Sequence, residues 1–276
     1  MTAKKWLKTP KGYVTILILA YLIIASIFTK STSGMMNGLI AIGVSLIVDF
    51  LFCGITHRKS SKDGTIITGL IIALILSITT PWPFVAGTAA LAILSKHLLV
   101  YKKKPIFNPA AVGLLISIFL FRSEQSWWGA FGDLPAWLMV LLIIGGYIVT
   151  ERINKFPQVF SFLGTFFVIL FLMGYFHVGD AADALRSPFI NAALFFGLFM
   201  LTDPPTSPAK YKNQVIFGFI TAIAGSIVYA IFGGLTYLFI GLMFGNLYSY
   251  WNKRSTSKTA ELKQQRIKTA QRAYGK

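Results

Sequence analysis

The sequence predicts an all-α integral membrane protein with ten transmembrane helices, arranged as a 5+5 inverted repeat with both termini in the cytoplasm. Three observations lead to this prediction: the composition, the spacing of the apolar segments, and the positions of the basic residues. Of the 276 residues, 55% are hydrophobic and 13% are charged, and the mean hydropathy is +0.67. Soluble domains average about 25% charged residues, so this composition excludes a soluble globular enzyme and a disordered protein.

Ten apolar segments divide the chain, and none of them alternates between apolar and polar residues as a strand would. Because a backbone in lipid must satisfy its own hydrogen bonds, we expect these segments to be helices. They cover residues 13–28, 35–55, 66–79, 84–100, 109–121, 135–150, 157–176, 188–201, 215–232 and 235–251. We expect one transmembrane domain, 1–251, with halves of about 1–125 and 126–251, and a separate basic cytoplasmic tail, 252–276.

The basic residues fall almost entirely on one side of the predicted bundle. With the N-terminus inside, only Lys30, Arg122 and Arg186, out of 26 Lys and Arg residues, lie in outer loops. Cytoplasmic loops carry an excess of Lys and Arg, so this distribution predicts a multi-pass protein of the cell membrane with cytoplasmic termini. The net charge of +17 owes much to the tail, 252–276, which we expect to contact anionic lipid and not nucleic acid.

Segments 66–79 and 188–201 occupy corresponding places in the two halves, and both are short. Fourteen residues cover about 21 Å at 1.5 Å per residue, less than the hydrocarbon core of about 30 Å. Each segment ends in a proline-containing stretch. Paired short segments of this kind point to a binding site near the bilayer midplane. The alternative, which the sequence leaves open, is that both helices thin the bilayer locally.

Three polar segments lie on the predicted inner side. Asn108 precedes the fifth segment in the position of a helix N-cap, so capping alone would explain it. Asp203 follows the eighth segment, where the helix dipole disfavours a carboxylate, so binding or capping through Thr206 is expected. Thr68 and Gly69, near the start of the third segment, allow a neighbouring helix to approach closely.

Two charged residues lie within apolar segments. Asp49 is in the second segment and Lys96 is in the fourth. Ionisable residues at such depth are costly and commonly functional, so both are candidates for an ion pathway. Trp127 and Trp128, in the loop after the fifth segment, are predicted to belong to the aromatic belt at the membrane interface.

The sequence predicts neither a metal centre nor a set of catalytic residues. Cys53 is the only cysteine, which excludes an internal disulfide and a CxxC pair. His57, His97 and His177 are far apart along the chain, and we expect them at membrane interfaces instead of in a haem-binding pair. No nucleophile–base pair or glycine-rich phosphate loop is present, so no catalytic residue is assigned.

Four short segments follow one another along the chain: DGTIITGL at 63–70, FNPA at 107–110, IGGY at 144–147 and FMLTDP at 199–204. As an ordered set they resemble the signature segments of the RnfD/NqrB family, and the ten-span count agrees. Members of that family are membrane subunits of ion-pumping electron-transfer complexes. The resemblance therefore implies other membrane or flavoprotein redox subunits as partners.

The resemblance also implies a flavin. Family members typically carry FMN joined through a phosphoester to a threonine in an outer loop, and some are associated with non-covalent riboflavin. By resemblance, Asn108 and Asp203 contact the flavin ring and Phe107 stacks on it. Further cofactor-binding candidates in the same segments are Thr68, Thr202 and Asp63.

The outer loops depart from the family pattern. Neither loop 122–133 nor loop 177–187 contains a threonine. Covalent FMN is therefore not expected, and non-covalent riboflavin or FMN is the cofactor that the resemblance still implies.

The resulting functional hypothesis is an RnfD/NqrB-like membrane subunit that passes electrons through a flavin and is coupled to cation transport. Such a chain would be at most one subunit of an oxidoreductase complex. Two alternatives remain: a cofactor-free secondary transporter or channel with inverted repeats, and a membrane scaffold for a flavoprotein partner. Neighbouring genes for redox proteins would favour the electron-transfer subunit or the scaffold over the transporter.

Overall fold

A computed structural model describes residues 3–57, 60–179 and 181–274, and helices form nearly all of its regular structure. The helices are α1 (Ala3–Trp6), α2 (Pro10–Phe28), α3 (Thr32–Thr56), α4 (Lys62–Ile75), α5 (Trp82–Leu98), α6 (Pro109–Phe121), α7 (Leu138–Arg152), α8 (Phe156–Tyr175), α9 (Ala181–Ala184), α10 (Ser187–Phe195), α11 (Tyr211–Phe232) and α12 (Thr236–Tyr274). A π-helical turn, Phe196–Met200, extends α10, and a 3₁₀ turn covers Trp128–Ala130. Between α5 and α6, strand β1 (Val100–Tyr101) pairs with β2 (Lys104–Pro105) in an antiparallel hairpin.

Each of the ten predicted apolar segments corresponds to a helix, and the segment 109–121 matches α6 at both ends. By length and composition, four helices are able to cross a membrane: Pro10–Phe28, Thr32–Thr56, Phe156–Tyr175 and Tyr211–Phe232. Pro109–Phe121 and Ser187–Met200 are shorter apolar helices. Ten crossings, the inverted repeat and the orientation of the termini stay predictions. Residues 275 and 276 of the predicted tail lie outside the described residues.

The third predicted segment, 66–79, is shifted in the structure, because α4 begins at Lys62 and ends at Ile75. Its last carbonyl groups are satisfied by the loop that follows α6. The Ile75 carbonyl accepts from the main-chain N–H groups of Ser126 (2.9 Å) and Trp127 (3.1 Å). The Ala73 carbonyl accepts from Trp128 Nε1 at 2.7 Å. The loop therefore caps a helix that stops inside the bundle.

This capping corrects the prediction for the two tryptophans. Trp127 is 2% exposed and Trp128 is 7% exposed, so both belong to the core and not to an interfacial belt. Trp127 stacks on Phe239, with ring centroids 5.5 Å apart. Their indole rings fill the space beyond the end of α4, which explains their burial.

The second short helix, α10 with its π turn, is also capped by side chains from other elements. The Met200 carbonyl accepts from Asn108 Nδ2 at 3.3 Å, and the Leu201 carbonyl accepts from Gln158 Nε2 at 2.7 Å. Within the turn, the Leu201 N–H reaches back five residues to the Phe196 carbonyl. Single π-helical turns of this kind occur frequently at functional sites.

Helix packing is similar in the two halves of the chain. In the first half, α3 packs on α4 and α5, and α5 packs on α6; in the second half, α11 packs on α8 and α12. Close approach of α3 and α4 depends on Gly69, as the sequence predicted. A Cβ atom at this position would lie 2.9 Å from the Ala41 carbonyl oxygen and 2.9 Å from Ile42 Cα.

The last helix is longer than its predicted apolar segment. α12 begins at Thr236 and continues without a break to Tyr274. Residue 251, the predicted end of the membrane segment, therefore lies within a continuous helix, and the described part of the basic tail extends it.

Candidate functional site

A cleft lies where the N-terminal ends of α2, α4 and α6 meet the segment that follows the π turn. It contains about 890 Å³ of empty space, part of which is open to solvent. Four of the six predicted cofactor-binding residues line it: Thr68, Asn108, Thr202 and Asp203. The three polar segments, which are far apart in the sequence, therefore form one site.

Asn108 connects several of the segments that form this site through its hydrogen bonds. Its Oδ1 accepts from the Ala111 N–H at 3.1 Å, which caps α6 as the sequence predicted. Its Nδ2 donates to the Met200 carbonyl at 3.3 Å, and its main-chain N–H donates to Asn246 Oδ1 at 2.9 Å. A primary amide has two N–H groups. Within the described residues, one of these remains for a ligand in the cleft.

Asp203 lies at the rim of the cleft, just beyond the π turn. Its Oδ2 accepts from Thr206 Oγ1 at 2.9 Å, which confirms the predicted cap. Among the described residues, no donor reaches Oδ1 of this carboxyl. Burial raises the pKa of Asp203, although the Thr206 hydrogen bond and nearby Lys11 oppose the shift.

The two threonines contribute acceptors to the site. Thr68 Oγ1 donates to the Gly64 carbonyl at 2.8 Å, and Thr202 Oγ1 donates to the Leu198 carbonyl at 2.7 Å. Because each hydroxyl hydrogen is used within its own segment, the oxygen lone pairs are what each side chain can present to a ligand.

Phe107 and Asp63 are not among the cleft-lining residues. Asp63 instead accepts from Trp6 Nε1 at 3.0 Å, which ties α1 to α4. The aromatic side chain that lines the cleft is Phe199, which is 5% exposed. Phe199 packs edge-on against Tyr21, with ring centroids 5.7 Å apart. Phe199, and not Phe107, is therefore the phenylalanine that lines the cleft.

Sequence reasoning missed two buried residues that shape the cleft. Asn246, fully buried in α12, also donates from Nδ2 to the Thr206 carbonyl at 3.4 Å. Lys155 is 4% exposed and donates to Ser207 Oγ at 2.9 Å and to the Pro208 carbonyl. Burial lowers the pKa of Lys155 to about 8. The sequence features that could have identified them are the position of Asn246 inside an apolar segment and that of Lys155 between two apolar segments.

The two predicted ion-pathway residues are direct partners. Lys96 Nζ lies 2.9 Å from Asp49 Oδ1 and donates to Thr65 Oγ1 at 2.7 Å. His97 Nε2 lies 2.8 Å from the same Asp49 oxygen. Asp49 is 1% exposed, and this compensation explains how its carboxylate is tolerated inside the bundle. Lys96 also lines the cleft, so the ion pair and the cleft share a residue.

The lining of the cleft is typical of a small-molecule site. Ligand pockets commonly have mostly apolar walls and a few polar groups that fix orientation. Here the walls are mainly apolar, with Val14, Ile67 and Val149 among the lining residues. The polar groups are the amide, hydroxyl and carboxyl groups described above. A second cleft beside it shares Pro105 and Pro205, and its cationic lining residues are Lys102, Lys104 and Lys253.

Comparison with known proteins gives two matches. The sequence model of the NQR2, RnfD, RnfE family matches residues 7–136 and 127–249 of this chain. The chain is also similar to a subunit of the ion-translocating oxidoreductase complex of Actinobacillus succinogenes, with 29% identity over 94 residues. That alignment covers 32% of this chain and 26% of the relative, so the matched stretch spans about a quarter of the relative's length.

Proposed function

This chain belongs to the NQR2, RnfD, RnfE family, and from that membership we propose that it is a membrane subunit of an ion-translocating electron-transport complex that holds a flavin without a covalent bond. The family match confirms the resemblance seen in the four sequence segments. The subunit role rests on the similarity to a relative whose name makes it a component of such a complex. The partners would be the other membrane or flavoprotein redox subunits.

The observation that carries the flavin proposal is the assembly of the polar segments around one cleft. Asn108, Thr202 and Asp203 come from different parts of the chain, yet they line the same space. Capping of α6 accounts for only one of the contacts that Asn108 makes. A purely structural role would not require an open, mainly apolar cleft beside these groups.

A bound flavin supplies one- and two-electron transfer chemistry. The chain's own residues bind and orient it. The remaining amide N–H of Asn108 would be the donor to the flavin, and the Thr68 hydroxyl oxygen would be an acceptor for it. The carboxyl of Asp203 would face the flavin from the rim of the cleft, and the apolar walls would exclude water from it. Because no threonine lies in either outer loop where the family carries it, non-covalent riboflavin or FMN is the proposed form.

Lys96 links this cleft to a buried charge and gives a route for cation coupling. A change of charge in the cleft would alter the potential at Lys96 and hence its pairing with Asp49, which is 2.9 Å away. Buried pairs respond strongly to nearby charge because the interior screens poorly. We propose that this pair senses the redox state of the cleft.

The proposed arrangement in the membrane is ten helices in a 5+5 inverted repeat with cytoplasmic termini. The similar packing of α3, α5 and α6 in one half and of α8, α11 and α12 in the other supports the repeat. The two short, side-chain-capped helices, α4 and α10, stand at corresponding places in these halves. Labelling of single cysteines in the loops of a Cys53→Ser background, in intact cells, would test the orientation.

The experiment that tests the flavin proposal is visible spectroscopy of the detergent-purified protein, expressed with riboflavin and FMN available. We expect a flavin band that passes to the supernatant after acid precipitation. Asn108→Ala and Asp203→Ala should reduce its occupancy, whereas Asp63→Asn, outside the cleft, should not. A band that stays in the pellet would contradict the non-covalent form. A colourless, folded protein would contradict the flavin proposal and favour a transporter, channel or scaffold.

A further inference from the structure

Near the C-terminal ends of α3 and α5, the structure brings three metal-ligating side chains together. One candidate donor atom from each of Asp49, Cys53 and His97 lies within 4.8 Å of the other two. Asp49 and Cys53 are four residues apart on α3, so they lie on one face of the helix, a turn apart. His97 contributes from α5. The sequence predicted no metal centre because His97 is distant along the chain from Asp49 and Cys53, and only helix packing brings the three together.

The three side chains are shielded and held in place by their neighbours. Asp49 is 1% exposed and Cys53 is 7% exposed. The His97 ring stacks on Phe52, with centroids 4.5 Å apart and planes 14° from parallel. The Asp49 carboxylate also accepts from the Ser60 hydroxyl through Oδ2. Supporting contacts of this kind orient the ligands in protein metal sites.

We propose that Asp49, Cys53 and His97 bind one divalent transition-metal ion of the Zn²⁺ class. A thiolate, an imidazole nitrogen and a carboxylate oxygen are the donors that zinc takes in tetrahedral sites. Mg²⁺ and Ca²⁺ prefer oxygen donors alone, so this donor set disfavours them. Three protein ligands leave a fourth position, and the exposed Ser60 beside the site marks the side that faces water.

Lys96 is compatible with this ion as an outer partner of the carboxylate. Each carboxylate oxygen has more than one lone pair, so Asp49 Oδ1 can keep its 2.9 Å contact with Lys96 while it binds a metal. The ion would lie between Oδ1 and His97 Nε2, which are now 2.8 Å apart, and these atoms would separate slightly to admit it. His97 would bind through Nε2 with its proton on Nδ1.

The charges of the site allow a divalent ion. On binding, the Cys53 thiol gives its proton to solvent and becomes a thiolate. The thiolate and the Asp49 carboxylate then balance the two positive charges of the ion. With the ammonium group of Lys96 included, the site has a net charge of +1. A hydroxide or chloride in the fourth position would neutralise it. The bound ion would connect the C-terminal end of α3 to that of α5. Metal binding at this site does not depend on flavin binding in the cleft.

Cobalt substitution tests this site directly. Detergent-purified protein would be stripped with a chelator and titrated with Co²⁺. Because Cys53 is the only cysteine, a thiolate-to-cobalt charge-transfer band can arise from this residue alone. We expect the band to saturate at one equivalent and to disappear when Zn²⁺ is added. Cys53→Ser should abolish it, and His97→Gln should weaken Co²⁺ binding by at least the 10–100-fold that loss of a mere outer partner costs.

His177→Gln is the matched control, because His177 is exposed and lies outside the group. It should leave the band and the affinity unchanged. Absence of a charge-transfer band in folded, monodisperse protein would overturn the proposal, as would a Co²⁺ affinity that His97→Gln does not change. Cys53→Ser differs from the parent protein by one atom and is expected to fold. Competition with a colorimetric zinc chelator should show that it has lost the stoichiometric site, and unchanged Zn²⁺ binding would also overturn the proposal.

Discussion

The main-chain N–H of Asn108 donates a 2.9 Å hydrogen bond to Oδ1 of Asn246, a residue 138 positions later in the chain. The same Asn246 side chain donates to the Thr206 carbonyl at 3.4 Å. One buried amide thus joins the start of α6 and the segment after the π turn to α12. Asn246, which belongs to neither of the two polar segments of the candidate site, therefore fixes their positions relative to each other.

Asn246→Leu should destabilise the protein and loosen the cleft. Leucine fills a similar volume but accepts no hydrogen bond, so the buried Asn108 N–H would lose its partner. An unsatisfied buried donor costs about 1–3 kcal/mol. The midpoint of thermal unfolding in detergent and the flavin content would both fall. Asn252→Leu, on the same helix but away from the cleft, is the control, and an equal loss in both variants would contradict a specific role for Asn246.

Gly69→Ala should separate α3 from α4. Its Cβ would lie 2.9 Å from the main chain at Ala41 and Ile42, which cannot yield as a side chain can. Overpacking of this kind costs about 1–3 kcal/mol. Gly43→Ala is the control on α3, since no atom lies within 4 Å of the added carbon. It should be neutral or should stabilise the helix by up to about 1 kcal/mol. Thermal unfolding of both variants would show whether close packing is the reason for Gly69.

Asp203→Asn should stabilise the protein at alkaline pH and have little effect in acid. Burial holds the pKa of Asp203 above its usual range. A carboxyl whose folded-state pKa is raised makes the protein lose stability as the pH rises from the unfolded-chain pKa to the folded-state pKa, because the folded state disfavours its ionisation. Asparagine has the same shape and does not ionise. Unfolding midpoints of both proteins, measured across the pH range, should converge below about pH 3.9, the usual Asp value. A difference between the two unfolding midpoints that stays the same at every pH would contradict this explanation.

Lys155→Gln should remove a gain in stability that the parent protein shows at high pH. Burial lowers the pKa of Lys155 from 10.5 to about 8. Between these values the unfolded chain binds more protons than the folded one, so stability rises with pH over this window. Glutamine can still donate to Ser207 and does not titrate there. The difference between the unfolding midpoints of the parent and Lys155→Gln should therefore change across the interval from about pH 8 to pH 10.5. The control is Lys210→Gln, at an exposed position, which should show the same pH dependence of stability as the parent protein.

The positions of the helices were predictable because a long apolar run that lies in lipid must satisfy its own backbone hydrogen bonds as a helix. The run 109–121 matches α6 at both ends, since Asn108 and Pro109 provide local start signals. The run 66–79 was placed too late. Asp63 and Gly64 are polar enough to suggest a loop, yet they form the first turn of α4, and the end of α4 is set by the loop around Ser126. That boundary depends on a tertiary contact, which the local pattern does not encode.

The candidate site was predictable only in part. Asn108 and Asp203 stood out because they lie in segments that resemble the family's signature segments, Asn108 at a helix N-cap and Asp203 after a short apolar segment. Phe107 was named as the stacking ring because it precedes Asn108 in the FNPA segment, and only the three-dimensional path of the chain shows that Phe199 is the ring that lines the cleft. The pairing of Asp49 with Lys96 likewise depends on the packing of α3 against α5. Periodicity identifies such charges but not their partners.

Because α12 is uninterrupted, the described end of the chain is one long helix. At 1.5 Å per residue, the stretch from the predicted membrane boundary at 251 to Tyr274 is about 35 Å long. The field of anionic lipids is screened within about 8 Å at physiological ionic strength. If α12 runs straight away from the membrane, only its first turn and a half beyond that boundary lies within this distance. The main chain farther along this helix would then lie beyond the range of the lipid charge.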